Sequence, residues 1–572
     1  MPENIVETDV AIIGGGPSGS TCASLVLKYA PDMKVMVLEK EKFPRDHVGE
    51  SQLPVVGAVL DEMGAWDKVE AANFPLKIGV TLRWGKESKL WDFDFAGHEE
   101  TKDLPRPGKY EGVRKQIAFQ VDRAVYDKIL LDHAGELGAD VNEECQVAEV
   151  LRDGDRIEGL RLRDGRIVKA RWYVDASGHV GVLRRAMGVE ADPITTLQNI
   201  AIWDYWENTK WAVKIGVGGT RVQVLSQPSG WIWFIPLGPT RTSIGFICHS
   251  EHYKKQTKTP EELYLEALDR DDRVKSLCEG ATRRGMVETT KDWSFMAERT
   301  TGENWFLVGE SAGFADPVLA AGMMLAHVAA RELAYTLVEL NSDESRADWI
   351  KAGYDSNQRR RVSQHIRFAD FWYSANGQFS DLREQCVRIA KESGLKLTPD
   401  AAWRWLAQGG FANDFVERAN FGTFDVASMK HVMGFVLDKQ LDWKLSDVNV
   451  LTLNLKNAEK LEIPKFHKGR IETIECYERA GRRLPMTGFY KTVVEILQQT
   501  SNAEEVMGLL KRHYGASKGA TSDFNTAVQT LESLLDEHWV MGKLNKKNKR
   551  ITVSTEEETD FLHFNRDEEP GS

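Results

Sequence analysis

A glycine-rich turn near the N-terminus has the spacing that binds the diphosphate of a dinucleotide. Gly14, Gly16 and Gly19 form a GxGxxG pattern directly after the apolar run Val10 to Ile13. The first glycine allows the sharp turn, the second lets the backbone approach the phosphates, and the third lets helix and strand pack closely. Ser18 lies in the same turn, where the next helix begins and its positive end faces the phosphates. The pattern predicts a dinucleotide site.

Two acidic residues extend this site and favour FAD over NAD. Glu39 ends the following strand, 20 residues after Gly19, and is expected to accept hydrogen bonds from the adenosine ribose hydroxyls. Far downstream, an apolar strand ends in Gly309 and Glu310. This segment resembles the second flavin-contacting motif of FAD-dependent monooxygenases, which implies that Glu310 holds the ribityl or ribose hydroxyls. Most members of that superfamily carry Asp there.

Two other segments place a reactive or rigid side chain on one face of a predicted strand. The segment Leu76 to Arg83 alternates apolar with polar residues, which predicts a strand with Lys77 on its polar face. Trp231 and Trp233 are two positions apart, so both project to the same side of a strand. Taken alone, the lysine fits a solvent-exposed position and the tryptophans fit ordinary core packing.

The elements that must position these residues divide the chain into three parts. A strand, the glycine turn, a helix to about Tyr29 and a second strand form a βαβ opening, and a hairpin turns at Asp164 and Gly165. We predict an α/β FAD-binding domain over residues 1–345, with a Rossmann-like fold of the para-hydroxybenzoate-hydroxylase type and a mixed sheet for the substrate. A helical region that covers the substrate is predicted over 346–465. A winged-helix-like module with a charged tail is predicted over 466–572, with a strand pair at Arg470 to Tyr477 and Thr487 to Lys491.

Composition excludes several other classes of protein. The net charge of −12 disfavours a nucleic-acid partner, and a short basic run from Lys543 to Arg550 is followed closely by acidic residues. No apolar stretch is long enough to span a bilayer and no signal peptide is recognisable, so we expect a cytoplasmic protein without a membrane partner. The six cysteines lie far apart without a CxxC pair, which predicts neither disulfides nor a metal site.

Two segments resemble signatures of the flavin-dependent halogenases. Phe43 to Ser51 is similar to the family's FPRxxVGES segment, and Gly230 to Pro236 contains WxWxIP. In layout the chain is most similar to the chloramphenicol-type halogenases, which carry a winged-helix-like C-terminal module. The resemblance implies that reduced FAD and O2 oxidise chloride or bromide to hypohalous acid. This acid would pass through a tunnel to an electron-rich aromatic substrate, phenolic or pyrrolic, either free or carried on a protein.

The resemblance also implies which residues act on the halogen. Lys77 stands where the family keeps its catalytic lysine, whose ammonium would orient hypohalous acid or whose neutral amine would form a haloamine; both alternatives stay open. Trp231, Trp233 and Pro236 would form the tunnel wall that keeps substrate away from the flavin.

Further residues are implied at the cofactor. Arg45 and Ser51 would bind it, and Arg123 fits either an arginine on the adenine or phosphate side or a salt bridge on a helix surface. Asp292 corresponds to a carboxylate near the isoalloxazine that some relatives esterify to the flavin.

The sequence departs from the family at the expected halide turn. The family's serine is replaced by Ala320, although the backbone amides of Ala321 and Gly322 could still bind a halide. Leu319 stands where tryptophan halogenases place an acid, which disfavours free tryptophan as the substrate. His365 is a speculative substitute for that acid, with a structural role as the alternative.

The chain has no second glycine turn that opens a helix, since Gly216 to Thr220 lies between strand-like runs. We therefore expect a separate NAD(P)H-dependent flavin reductase to supply FADH2. Two other functions remain open: a related FAD-dependent monooxygenase or oxidoreductase, and a flavin-binding interaction protein without catalysis.

Overall fold

The computed structural model describes residues 4–84, 90–96, 98–192, 198–216, 218–291, 294–375, 391, 443–515, 520–553 and 562–564. The strands, numbered in chain order, are β1 (Ile5–Ile13), β2 (Val35–Leu38), β3 (Leu76–Arg83), β4 (Trp91–Asp94), β5 (Ala118–Phe119), β6 (Asp140–Asn142), β7 (Val147–Asp153), β8 (Arg156–Leu162), β9 (Ile167–Asp175), β10 (Ala191–Asp192), β11 (Asn199–Glu207), β12 (Gly219–Gln227), β13 (Gly230–Pro236), β14 (Arg241–His249), β15 (Thr282–Arg283), β16 (Glu288–Lys291), β17 (Phe295–Ala297), β18 (Trp305–Leu307), β19 (Gly313–Phe314), β20 (Val450–Leu453), β21 (Glu459–His467), β22 (Arg470–Arg479), β23 (Arg482–Pro485), β24 (Val540–Lys543) and β25 (Leu562–Phe564). The helices are α1 (Pro17–Tyr29), α2 (Pro54–Met63), α3 (Trp66–Ala71), α4 (His98–Lys102), α5 (Arg123–Glu136), α6 (Val182–Ala186), α7 (Ser250–Lys254), α8 (Pro260–Asp269), α9 (Asp272–Leu277), α10 (Ala321–Ser342), α11 (Ala347–Ala375), α12 (Gly488–Gln499), α13 (Ala503–Tyr514) and α14 (Ala520–Asp536).

The N-terminal sheet is mostly parallel and is covered on both faces, and its last two strands, β8 and β7, are antiparallel. Its strand order is β6-β2-β1-β9-β8-β7, and β18 pairs with β9. Strand β1 runs parallel to both β2 and β9, so the carboxyl ends of all three meet at one edge. Val10 to Ile13 are buried, as expected for a strand covered on both faces. The predicted βαβ opening and the Rossmann-like fold are confirmed, as is the hairpin, where Gly165 adopts a positive φ of 91°.

A second sheet forms the other wall of the domain. Its path runs β15-β11-β14-β13-β12-β3-β4-β25, with β16 beside β11 and β5 beside β3. Strand β25, near the end of the chain, pairs antiparallel with β4 and forms one edge of this sheet. Helix α10, which is 22 residues long, packs against α1. It also contacts α11, the 29-residue helix that follows it along the chain.

Strand β3 contains an irregularity that changes the direction of its side chains. In its parallel pairing with β12, Thr220 is opposite Lys77 and Arg221 is opposite Gly79, so Ile78 is an extra residue on β3. Such a bulge interrupts the alternation of faces. Lys77 therefore shares a face with Val80, whereas regular alternation predicted opposite faces.

The C-terminal region has a core of its own. Strands β20 and β24 pair antiparallel, and helices α12 to α14 pack on them around buried residues such as Leu451, Leu531 and Trp539. Strands β21 to β23 form a separate antiparallel meander, and Ile471 on β22 joins the core of the N-terminal domain. Within the region predicted to be helical, residues 392–442 lie outside the described residues.

The predicted boundary at 465/466 lies within β21, which forms one hairpin with β22 through Lys468 and Gly469. One sequence prediction for this region is wrong. The predicted strand Thr487 to Lys491 is the start of α12, where Tyr490, Val493, Val494, Ile496 and Leu497 are buried at helical spacing. The aromatic residues of this segment pack into the core instead, Tyr490 fully and Phe489 partly buried.

None of the described helices has both the length and the apolar character needed to cross a membrane.

Candidate active site and cofactor cavity

One continuous cavity of about 430 Å³ connects the glycine turn to Lys77. Its wall includes Gly14 and Glu39 at one end and Lys77 and Trp233 at the other. The two walls are the parallel sheet and the ten-stranded sheet, and the amino end of α10 lies between them. A cofactor and a second, separate reactant site can therefore share one cavity.

The glycine turn has the close approaches that the sequence predicts. A Cβ atom on Gly14, whose φ is 106°, would lie 2.4 Å from the carbonyl oxygen of Ala176, and one on Gly19 would lie 2.0 Å from the carbonyl oxygen of Gly14. By contrast, a Cβ on Gly16 would meet only the Arg45 guanidinium, at 3.5 Å, and would stand in the cavity. Gly14 and Gly19 are therefore needed for close contacts within the backbone, whereas Gly16 leaves room for a ligand at the start of α1.

Two buried carboxylates hold the carboxyl ends of the neighbouring strands. Glu39 accepts the Gly15 N–H at 2.7 Å and the Glu41 N–H at 2.9 Å, and it lines the cavity. Asp175, at the end of β9, accepts the N–H groups of Leu183 (2.7 Å) and Arg184 (3.1 Å). Asp175 was not singled out from the sequence, although its position after a buried strand beside the glycine turn was a usable signal.

The second motif meets the first in space. Gly309 has a φ of 65°, and a Cβ there would lie 2.3 Å from the Ser18 hydroxyl oxygen. Glu310 follows with a half-buried carboxylate that lines the cavity and makes no hydrogen bond to the described residues. Burial raises its pKa, against the opposing effects of Arg123 and His179. This carboxylate is available to hydroxyl donors of a ligand.

The two candidate arginines differ in what they already bind. Arg123 is buried and forms a bidentate pair with Asp127 (2.7 and 2.9 Å), and its third nitrogen donates to the carbonyl of Val48 at 2.9 Å. Of the two alternatives for Arg123, the structure shows an ion pair along the helix, and that pair is buried rather than on the helix surface. Arg45 also lines the cavity; it forms looser ion pairs with Glu41 and Asp127, both at 3.5 Å, and its buried Nη1 has no hydrogen-bond partner among the described residues. Arg45 fits an anionic ligand better than Arg123 does.

The segment after Arg45 brings two more polar groups to the cavity. The buried Ser51 hydroxyl has no hydrogen-bond partner among the described residues. Glu50 accepts a hydrogen bond from the Tyr205 hydroxyl at 3.0 Å, and burial raises its pKa to about 7.

Lys77 is almost completely buried at the far end of the cavity. Its Nζ donates to the carbonyl oxygen of Gln52 at 2.9 Å and lies 5.4 Å from the centre of the Phe95 ring. Burial, with no acidic partner beside it, lowers its pKa to about 7. Both the ammonium and the amine are thus populated at neutral pH.

An ion-pair cluster lies on the opposite face of the same sheet. Arg221 binds Asp94 with two bonds of 2.6 and 2.8 Å and Asp92 with one of 3.1 Å. The pair with Asp94 joins β12 to β4 across Gly79 of β3, where a Cβ would lie 2.6 Å from the Asp94 carboxylate. The cluster therefore holds the three strands together beside the bulge that directs Lys77 into the cavity.

The two tryptophans line the cavity as predicted, but Pro236 does not. Their ring centres are 6.2 Å apart, and a Cβ on Gly245 of β14 would lie 2.1 Å from the Trp233 ring, so that glycine makes room for the indole. Alternation along β13 turns Ile235 toward the cavity and Pro236 away from it.

Trp231 is linked through helix α11 to the segment before α10, where the sequence predicts the halide turn. Its indole N–H donates to the Tyr373 hydroxyl at 2.7 Å, which in turn donates to Asp316 at 3.1 Å. Asp316 also accepts the Val318 N–H at 2.9 Å, and burial raises its pKa to about 7.

The expected halide turn opens onto the same cavity. Ala320 has a φ of 56° and precedes the first turn of α10, where Ala321 and Gly322 line the cavity. The backbone there provides amide dipoles whether or not residue 320 carries a hydroxyl. His365 on α11 also reaches the cavity, and burial lowers its pKa to about 4.

Asp292 lies outside the described residues. Among the residues that are described, no cluster of His, Cys, Asp or Glu could hold a metal ion.

Comparison with known proteins identifies related chains. The sequence profile of the tryptophan halogenase family matches residues 9–110 and 100–382. The 1H-pyrrole-2-carbonyl-[peptidyl-carrier protein] chlorinase of Pseudomonas fluorescens is 33% identical over 391 residues, which are 65% of this chain and 85% of that protein. The tryptophan 2-halogenase of Chondromyces crocatus is 33% identical over 332 residues, covering 56% of this chain and 59% of that protein.

Solved structures share the fold over most of the chain. CmlS, a flavin-dependent halogenase, superposes with a TM-score of 0.72 at 23% identity, covering 96% of this chain and 98% of that one. The myxobacterial chondrochloren halogenase CndH has a TM-score of 0.59 at 27% identity and covers 76% of this chain and 97% of that one.

Proposed function

The chain belongs to the tryptophan halogenase family and is an FAD-dependent halogenase, and from that premise we propose which residues carry its reaction and what substrate it takes. The observation that carries the proposal is the position of Lys77 in the same cavity as both flavin motifs. Reduced FAD, when bound, supplies with O2 the oxidation of chloride or bromide to hypohalous acid.

The cofactor-binding roles fall on groups whose geometry suits FAD. The start of α1 at Gly16 and the unpartnered Nη1 of Arg45 would hold the diphosphate. Glu39 would accept from the adenosine ribose, and Glu310 from the ribityl chain. Arg123 would act as a positioning residue, since its guanidinium binds the carbonyls of Val48 and Gly49 in the loop that follows Arg45. Covalent attachment through Asp292 stays a proposal.

Lys77 would direct the electrophile. As an ammonium it donates a hydrogen bond to the oxygen of hypohalous acid, which leaves the halogen atom exposed to the substrate ring. The ring carbon forms the carbon–halogen bond and loses its proton, and hydroxide leaves with that proton as water. As a neutral amine, Lys77 can instead take the halogen first: the nitrogen–halogen bond forms as the oxygen–halogen bond breaks, and the hydroxide leaves as water with a proton from the amine. A pKa of about 7 admits both routes.

The surroundings of Lys77 favour a neutral, electron-rich aromatic substrate. None of the cavity-facing residues of β3, β4, β12 and β13 is acidic, and Lys77 is their one cation: they are Lys77, Val80, Leu82, Phe93, Val222, Val224, Trp231, Trp233 and Ile235. The zwitterion of a free amino acid would lose its hydration there without gaining paired charges. A pyrrole or phenol ring avoids that cost, either free or presented on a carrier protein as in the chlorinase from Pseudomonas fluorescens.

A separate flavin reductase would supply the reduced cofactor. Gly219, in the other glycine-rich segment, begins β12 and does not open a helix, so this segment lacks the geometry for a nicotinamide dinucleotide. We place this partnership in the cytoplasm, consistent with the free thiols of all five described cysteines.

Functionally, we propose that the FAD-binding domain is followed by a helical cover and by a winged-helix-like module.

The test supplies reduced FAD, O2 and either chloride or bromide, together with a small-molecule trap for hypohalous acid and an aromatic substrate. Wild type is expected to halogenate both in a halide-dependent manner. Lys77→Ala is expected to halogenate the trap but not the substrate, whereas Trp233→Ala should let oxygen transfer reach the substrate. Product formation without halide would favour a monooxygenase, which the alanine at position 320 also allows. Retained substrate halogenation in Lys77→Ala would remove the lysine from its assigned role.

A further inference from the structure

A strongly basic turn begins at the last residue of β24 in the C-terminal region. It contains Lys543, Lys546, Lys547, Lys549 and Arg550, all exposed. The salt bridge from Lys549 to Glu504, at 3.1 Å, is the one ion pair that these cations make within the described residues. The other four charges face solvent.

This turn is held in one conformation from inside the protein. Asn449, which is 1% exposed, donates from its amide nitrogen to the carbonyls of Asn545 (2.8 Å) and Asn548 (2.9 Å). Its amide oxygen accepts the Asn545 N–H at 2.7 Å. A buried side chain that makes three hydrogen bonds to a turn reduces the entropy that the turn loses on binding a partner.

Two large apolar side chains lie exposed beside the cations. Met541 is 44% exposed and Leu544 is 49% exposed. Protein interfaces combine an apolar centre with a charged rim, and an exposed apolar pair next to a rigid basic turn has that composition.

A nucleic acid does not suit this surface. Helix α14, which precedes β24, contains no Lys or Arg, and the chain as a whole carries a net charge of −12. Phosphate binding needs a broad positive field, and a single turn on an acidic protein does not provide one.

We propose that the basic turn is the docking site for an acidic carrier-protein domain that delivers the aromatic substrate to the cavity; this rests on the proposed function. Two acidic proteins repel each other at long range, so a local group of cations determines which face a carrier can approach. Chain connectivity also limits how far the turn lies from the site: the 12 residues from Arg550 to Leu562 span at most roughly 43 Å, and β25 pairs with β4, which contributes Phe93 to the cavity.

The experiment compares two forms of one substrate in the full-length enzyme with FAD, a flavin reductase, NADH, O2 and chloride. One form is pyrrole-2-carbonyl thioester on a peptidyl-carrier domain, and the other is the same thioester on free pantetheine. In Lys546→Glu/Lys547→Glu we expect the KM for the loaded carrier to rise about tenfold, with kcat unchanged. Turnover of the free thioester should stay within twofold of wild type, and the rise of the carrier KM with added salt should be lost.

The matched control is Lys254→Glu/Lys255→Glu, which makes the same change of charge at two exposed lysines at the end of α7. An equal rise of the carrier KM in this control would overturn the proposal, because net charge alone would explain it. Binding of the loaded carrier is measured in parallel by fluorescence anisotropy. Absence of salt-dependent binding in wild type, or tighter binding of duplex DNA than of carrier at the same salt, also overturns it.

The two proposals fail in different ways. If wild type halogenates the trap but neither thioester, the substrate class is wrong, and the docking site is then judged by carrier binding alone. If the free thioester is halogenated but the charge reversal leaves carrier binding and KM unchanged, the substrate class survives and the docking site does not.

Discussion

The two ends of the cavity are built by different means. At the nucleotide end, the positions of Gly14, Gly16 and Gly19 depend on backbone contacts within a single strand–turn–helix unit. At the other end, Lys77 depends on a bulge against β12 and on an apolar wall that β13 contributes. The first kind of site follows from local sequence, whereas the second exists only after distant strands have paired. The two ends should therefore respond differently to mutation.

The largest difference is expected from Lys77→Met. Substrate halogenation should fall by about 10²–10⁴-fold, the usual contribution of a positioned acid or base, while FAD binding should not change. The same substitution should stabilise the protein. Burial lowers the pKa of Lys77 from 10.5 to about 7, so the buried ammonium costs stability fully below pH 7, and the cost disappears as pH rises toward 10.5.

Urea unfolding at pH 6 and pH 9 checks this prediction. The variant should gain about 1–3 kcal/mol at pH 6 and less at pH 9. Equal gains at both pH values would mean that burial does not lower the pKa of Lys77, so that the lysine keeps its charge in the folded protein even at pH 9.

At the nucleotide end of the cavity, substitutions at two nearby glycines should separate an effect on ligand binding from an effect on stability. Gly16→Ala places a methyl in open cavity, so we expect normal stability and an FAD Kd raised roughly 10–100-fold. Gly19→Ala pushes a methyl to 2.0 Å from a carbonyl oxygen and should lose both stability and FAD binding. Flavin titration and urea unfolding of both variants check this. If Gly16→Ala binds FAD normally, the diphosphate does not approach that residue.

A smaller effect tests whether the ion pairs beneath β3 direct Lys77. Asp94→Asn keeps the shape of the side chain but removes its charge from Arg221. We expect trap halogenation to stay unchanged and substrate halogenation to fall roughly tenfold, about 1.4 kcal/mol. The control is Arg83→Lys. Arg83 lies on β3 at the end away from the bulge, and this substitution alters its ion pair with Asp271. The prediction fails if both variants lose substrate halogenation equally.

The smallest effect is expected at Tyr373, which joins the tryptophan wall to the halide turn. Tyr373→Phe removes a donor to Asp316 and should raise the pKa of that carboxyl further, because a hydrogen bond to the ionised form is lost. The acid limb of the pH profile should move upward, and activity at pH 7 should fall about fivefold. Tyr335→Phe is the control, since its hydroxyl binds Glu62 instead. A profile that moves equally in both variants would contradict the prediction.

The same contrast explains what could be predicted from sequence. The βαβ opening, the hairpin and both flavin motifs follow local rules, and the fold was predicted from them. The face of Lys77 could not be read in the same way, because the extra residue Ile78 is defined only by its pairing with β12. The strand predicted at Thr487 to Lys491 failed for a related reason, since burial against a core outweighed the local β propensity.

The residues that the sequence analysis missed are positioning residues, which hold other parts of the site in place. Asp175, Arg221 and Tyr373 each bind a neighbouring segment. The position of Asp175 after a buried strand was a usable signal, but no comparable signal marks Arg221 or Tyr373. Pro236 shows the reverse case, because it belongs to a family signature yet faces away from the cavity.

The strand at residues 562–564 has a practical consequence for anyone who expresses this protein. Because β25 covers β4, a chain shortened to residue 553 would expose the backbone N–H and C=O groups of β4 along the sheet edge. Uncovered edges of this kind recruit other chains and promote aggregation. An affinity tag is therefore better attached before Ile5 than after Phe564, and a drop in solubility on truncation should not be mistaken for a loss of the active site.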